Sequence, residues 1–142
     1  MTSAARTAWL DPAPLDPAGI LRLVDGDPAL PGRALFTGTV RDDPRIREVV
    51  ALDYEAYPDL AEREMRAICT EAAAAFGARC VMVHRTGRVG VGEPSVAAAA
   101  SSSTDGAAIA ACEWMVDQLK SRVPIWKEQR FADGGTEWAE GA

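Results

Sequence analysis

Apolar residues recur along this chain in two rhythms. Between residues 58 and 77, Ala61, Met65, Ile68, Ala72 and Phe76 stand four, three, four and four positions apart. That spacing predicts one buried face of a helix about five turns long. Pro58 suits its first turn and Gly77 its end. Glu62 and Arg66 form an i,i+4 pair on the outer face. A second helical stripe, Ala108, Cys112, Met115, Leu119 and Val123, is widened by Ile109 and Val116. Ser102, Ser103, Thr104 and Asp105 offer N-caps before it, and Pro124 closes it. A short helix starts after the Pro-rich turn at 11–17, with Asp16 as N-cap and Pro17 as first residue, and carries Ile20, Leu21 and Val24.

The other rhythm belongs to strands. Residues 33–40, 49–57, 79–85, 88–91, 95–101 and 125–131 each read as one. The charged, proline-containing segment 41–48 joins the first two, which predicts a hairpin. The order is β-α-β-β-α-β-β-β-α-β, its opening strand carrying no assigned bounds. Neighbouring strands between helices argue for an α+β fold with mixed pairing over a doubly wound sheet. One domain is expected over 1–142, with loose ends near 1–6 and 133–142.

Composition adds exclusions. Of 142 residues, 48% are hydrophobic and 25% charged, ordinary values for a globular chain that buries a core without staples. No apolar run reaches bilayer length, and the opening residues carry no secretory pattern, so a cytoplasmic location is expected. Cys69, Cys80 and Cys112 are odd in number and far apart within apolar patterns; they read as reduced core thiols, and no metal site is expected. A net charge of −6 argues against nucleic acid as a partner. The charge is uneven, however. Residues 120–130 hold four cations against one carboxylate, a local +3 that leaves −9 on the rest. Such a patch either draws in a small anion or an acidic tail, or is a solvated basic face.

Few residues offer chemistry. His84, the sole histidine, sits mid-strand and reads as structural. The Gly90–Val91–Gly92 stretch lacks the strand-loop-helix setting of a dinucleotide loop and reads as a turn. Trp114 and Trp126 read as packing residues. Lys120 and Lys127 remain. Lys120 lies at the edge of the second helical stripe, in the last turn, where a cation meets the negative end of the helix dipole. Lys127 follows past the bend at Pro124. Such a bend can bring both ammonium groups to one pocket, where each lowers the other's pKa and prepares a lysine for proton transfer or nucleophilic attack. Two surface lysines bracketing a helix end are the alternative.

Four segments carry a family resemblance: LFTGTVRDD at 35–43, ALDYEAYPDLAERE at 51–64, VHRTGRVGVGEPSV at 83–96 and LKSRVPIWKE at 119–128. Together they resemble the large, catalytic subunit of molybdopterin synthase, the MoaE family, over roughly residues 5–138. The resemblance implies an α/β hammerhead fold with an additional antiparallel sheet. It also implies a homodimer carrying, at each outer end, a small ubiquitin-like sulfur carrier that ends in a Gly-Gly thiocarboxylate. Sulfur passes from that tail to cyclic pyranopterin monophosphate and makes the dithiolene of molybdopterin. No permanently bound cofactor, metal, membrane or nucleic acid is implied.

By the same resemblance Lys120 polarises the reactive carbon of the tail and handles protons, and Lys127 holds substrate or intermediate. Arg41 belongs to the anion pocket, and Phe36 shapes the pocket or the core. Thr104 and Asp105 stand where the family usually has a His-Arg pair that binds anionic substrate, partly across the dimer. Gln129 stands where a glutamate is common. Arg41, Arg45, Arg47, Arg122 and Arg130 are candidates to replace the lost cations, Arg122 and Arg130 as substrate-binding residues. The competing expectation is a catalytically weakened paralogue that only docks the ubiquitin-like carrier.

Overall fold

The computed structural model describes residues 7–42, 47–139 and 141–142. Two four-stranded sheets share one main core. The first contains β1 (Ala8–Asp11), β4 (Arg79–Arg85), β6 (Pro94–Ser102) and β2 (Gly32–Thr39), in that spatial order. The second runs β5 (Gly87–Gly90), β3 (Val49–Ala56), β7 (Ile125–Phe131), β8 (Thr136–Ala139). Only the β1–β4 pair is parallel among the described strands. The α+β class is as expected.

Helices α2 (Pro58–Phe76) and α3 (Asp105–Arg122) cover one face of the first sheet, and α1 (Pro17–Arg22) covers the other. The alanine run of β6 explains how this is possible. Ala98 and Ala100 face the main core while Ala97 and Ala99 face the α1 side, and all four are fully buried. Side chains this small let helices approach the sheet closely from both sides. Along α2, Ala61, Met65, Ile68 and Ala72 are sealed from solvent, as their spacing predicts. Burying a side chain the size of Met65 or Ile68 is worth about 1.5–3 kcal/mol. Gly77 ends α2 at φ +56, a left-handed conformation that glycine adopts at no steric cost.

α3 begins at Thr104, whose hydroxyl accepts a hydrogen bond from the Ala107 N–H at 3.2 Å. Its buried face is Ala108, Ala111, Cys112, Met115, Val116 and Leu119. Ile109, read as part of that face, is 60% exposed. The three cysteines are free and buried, and desolvation pushes Cys69 and Cys80 up to about 12.

Three differences from the sequence reading stand out. β2 and β3 form no hairpin: β2 pairs with β6 in one sheet, and β3 pairs with β5 and β7 in the other. The nine residues 40–48 between them exceed a hairpin loop and carry the chain between sheets. The polar tail contributes β8, which pairs with β7 from Lys127↔Ala139 to Arg130↔Thr136. The opening strand is β1, held by β4 alone in its sheet. Residues 1–6 and Arg45 lie outside the described residues.

Candidate active site

The bend at Pro124 separates two elements with different duties. α3 delivers Lys120 at its last turn, and β7 begins at Ile125. Along β7, alternate side chains face opposite sides of the second sheet. Lys127 and Gln129 turn inward and line a cavity of about 490 Å³. Trp126, Glu128 and Arg130 turn outward. Lys120 lines the same cavity, as do Arg41 just past β2, Phe36 on β2, Tyr54 on β3, His84 on β4 and Ser95 on β6. The cavity therefore sits where both sheets and the end of α3 meet.

Lys120 is exposed at the rim and Lys127 is half-buried. Desolvation holds the Lys127 ammonium below its ordinary pKa, and the charge of Lys120 adds to that lowering. The two lysines thus share one electrostatic environment. The Lys127 Nζ donates to the backbone carbonyl of Ala142 at 3.4 Å. No Asp or Glu side chain lines the cavity among the described residues. Three cationic side chains converge there without an acidic side chain among the described lining, which suits an anionic ligand.

Other candidates stand elsewhere. Arg122 lies between α2 and α3, donating to Glu71 at 2.7 Å and pairing with Glu64 at 3.5 Å. Arg130 is on the outward face of β7, where it donates to Asp53. Arg88 donates to the same carboxylate at 2.9 Å. Arg47 chelates Asp133 at 2.8 and 2.9 Å and covers the Phe131 ring at 4.0 Å. Each of these guanidiniums already has a carboxylate. Thr104 and Asp105 open α3, some fifteen residues or about 22 Å along the helix from Lys120. Within one chain they do not meet the lysines. Trp114 packs against Phe76, and Trp126 meets Tyr57 edge-on while donating to Glu55 at 3.2 Å.

Sequence reasoning missed Tyr54, His84 and Ser95 as cavity residues. Tyr54 is brought there as the register partner of Lys127 in the β3–β7 pair, a pairing that no local pattern announces. His84 and Ser95 come from the other sheet, and no local pattern places them there.

The sequence pattern of the MoaE protein family matches residues 10–122. This chain belongs to that family. A molybdopterin synthase catalytic subunit from Oryza sativa subsp. indica is 44% identical over 124 residues, which is 85% of this chain and 64% of that protein. The crystal structure of molybdopterin synthase from Staphylococcus aureus superposes with a TM-score of 0.89 at 26% identity, covering 96% of this chain and 98% of that one. A protein–protein complex of subunits 1 and 2 of molybdopterin-converting factor from Helicobacter pylori superposes at 0.75, covering 94% and 90%. At 19% identity that likeness speaks for the fold alone. The chain spans between 35% and 65% of the length of the first curated relatives it matches. Among the described residues no cluster of His, Cys, Asp or Glu could hold a metal, and no helix is long and apolar enough to cross a membrane.

Proposed function

We propose that this member of the MoaE family is the catalytic subunit of a cytoplasmic molybdopterin synthase. It takes sulfur from the C-terminal thiocarboxylate of a small ubiquitin-like subunit and delivers it to cyclic pyranopterin monophosphate, forming the dithiolene. The observation that carries this reading is the convergence of Arg41, Lys120 and Lys127 on one cavity with no Asp or Glu side chain among its described lining. Both reactants, a thiocarboxylate tail and a cyclic phosphate, are anions.

The approach to the cavity fits a threaded tail. A groove of about 470 Å³ between β2 and α3, lined by Leu35, Ile109 and Cys112 with Glu113 and Asp117 on its α3 side, shares Phe36, Val116 and Lys120 with the cavity. A chain end lying in that groove would bring its last carbon to Lys120. There the ammonium polarises the thiocarboxylate carbon as its sulfur bonds to a precursor carbon. Water takes the acyl group, breaking the acyl–sulfur bond and leaving a carboxylate on the carrier, and the ammonium supplies or takes up protons. Lys127, deeper and partly desolvated, holds substrate or the sulfur-bearing intermediate. The chain needs no resident cofactor for this.

Thr104 and Asp105 bear on assembly. Standing at the far end of α3, they act on a substrate only if a second copy brings them to its neighbour's cavity, as in a homodimer flanked by two small subunits. A second reading rests on Asp105, an anion where the family usually has a cation. By that reading the chain docks the sulfur carrier with little turnover.

Reconstitution separates the two. Purified chain, thiocarboxylated carrier and precursor should yield molybdopterin, and Lys120→Ala should lower the rate on the order of 10²-fold or more. Absence of product with a carrier shown competent elsewhere would defeat the first reading. Recovery of activity in Thr104→His/Asp105→Arg would support the second.

A further inference from the structure

His84 is a base that this mechanism leaves unused. It stands on β4 and shares its main-core face with Cys80 and Met82, and it is 1% exposed. Its ring meets Tyr54 edge-on, with 4.8 Å between centroids at 69°. Tyr54 is the register partner of Lys127, so the imidazole lies one ring away from the half-buried lysine.

The tautomer follows from geometry. His84 Nδ1 is 2.7 Å from the Arg85 backbone carbonyl. A carbonyl only accepts, so Nδ1 carries the proton and Nε2 carries the lone pair. No hydrogen bond from the described residues reaches Nε2, and the ring lines the cavity. An acceptor on a cavity wall is free to take a donor from whatever fills the cavity. The protein groups around it offer none that is committed to it. The Ser95 hydroxyl is spent on the Gly38 carbonyl at 3.3 Å, and Tyr54 meets the imidazole through the edge of its ring. Gln129 also lines the cavity, but its amide can present either a donor or an acceptor; His84 in this tautomer presents only an acceptor. Burial, reinforced by the neighbouring Lys127 charge, lowers the imidazole to about 4, so the lone pair persists at neutral pH.

We infer that His84 is a specificity-determining residue whose Nε2 accepts a hydrogen bond from an N–H or O–H of the bound substrate, while Arg41, Lys120 and Lys127 hold its anionic group. The cavity thus selects an anion that carries a donor close to its charge, and discriminates against simple anions that lack one. This rests on the function proposed above, where the ring N–H groups of cyclic pyranopterin monophosphate are the donors.

The test uses the intact chain and its only histidine. In ¹⁵N-histidine spectra at neutral pH, Nδ1 should be protonated and Nε2 bare. Saturating precursor should move the Nε2 resonance toward the hydrogen-bonded position, whereas sulfate should leave it in place. Two variants then separate a ligand contact from a structural one. His84→Asn keeps a donor near the Arg85 carbonyl and removes the acceptor from the cavity. His84→Gln does the reverse. Precursor affinity should fall about tenfold in His84→Asn and stay within about twofold in His84→Gln, with sulfate affinity equal in both. An Nε2-protonated ring, or an Nε2 signal unmoved by bound precursor, overturns the inference without touching the proposed function. So does the opposite ranking, with Asn tolerated and Gln not. Failure of wild type to bind precursor at all overturns both. The spectra of wild type decide the matter even if a variant does not fold.

Discussion

The two faces of β7 hold cations in opposite circumstances. On the outward face Arg130 reaches Asp53, which Arg88 also holds. On the inward face Lys127 meets no Asp or Glu side chain among the described cavity residues; it donates to the main-chain oxygen of Ala142 and feels the charge of another ammonium. The same strand therefore carries one cation that steadies a surface and another kept short of partners. Arg122 repeats the first pattern on α3, where Glu71 and Glu64 neutralise it two residues beyond Lys120. A basic segment is thus no single patch. Of its four cations, only the two without carboxylate partners face the cavity.

This contrast can be broken most severely at the cavity. Lys120→Ala should cut sulfur transfer by about 10²-fold or more, measured with thiocarboxylated carrier and precursor. Lys127→Ala should match it in rate yet not lower Tm. The folded state disfavours the Lys127 charge through burial and the Lys120 ammonium, so the charged form costs stability. A large loss of Tm in Lys127→Ala would assign it to the structural class instead. Arg41→Ala should come next, raising KM for precursor roughly tenfold with a smaller change in kcat, as expected for an anion contact made in ground and transition state alike.

The partnered cations should behave in reverse. Arg122→Ala removes two exposed pairings between α2 and α3. It should lower Tm by about 1–3 °C, read by calorimetry, with kcat within about twofold of wild type. Asp53→Asn should give the smallest effect, visible only in its pH dependence. Hydrogen bonding from Arg88, with Arg130 adding to it, holds the Asp53 carboxyl below its ordinary 3.8. Its contribution is complete above that value and vanishes as pH falls through the lowered folded-state pKa. The Tm difference between wild type and Asp53→Asn should therefore shrink in acid, below about pH 4. A difference that stays constant across that range would remove Asp53 from the account.

Much of the fold could be read from local patterns. The α2 stripe, its Pro58 start and its Gly77 end emerged as spaced, because an amphipathic helix is specified by residues within a few turns of each other. Four N-cap candidates, Ser102 to Asp105, followed from the same locality, and the structure gives the role to Thr104. Ile109 did not: it fits the helical stripe but faces the groove beside β2, and only the width of the covered face decides that. The β2–β3 hairpin failed because strand pairing is non-local. The alternation in each strand was sound, yet which strand it joins depends on β6 and β7, far along the chain. β8 escaped notice because a four-residue strand with one exposed tryptophan carries little signal.

The site divides the same way. Lys120, Pro124 and Lys127 are neighbours in sequence, so a bend between helix and strand sufficed to suggest their convergence. The arginines could not be sorted by sequence, since a guanidinium looks alike whether or not a carboxylate from a distant strand reaches it. Alternation along β7 was determined by the chain itself. Which side became a cavity was decided by the docking of the second sheet against the first, and that docking also buried His84 beside Lys127. Local spacing determines which side chains travel together; only packing between distant elements determines what they face, because charge and burial act through space and not along the backbone.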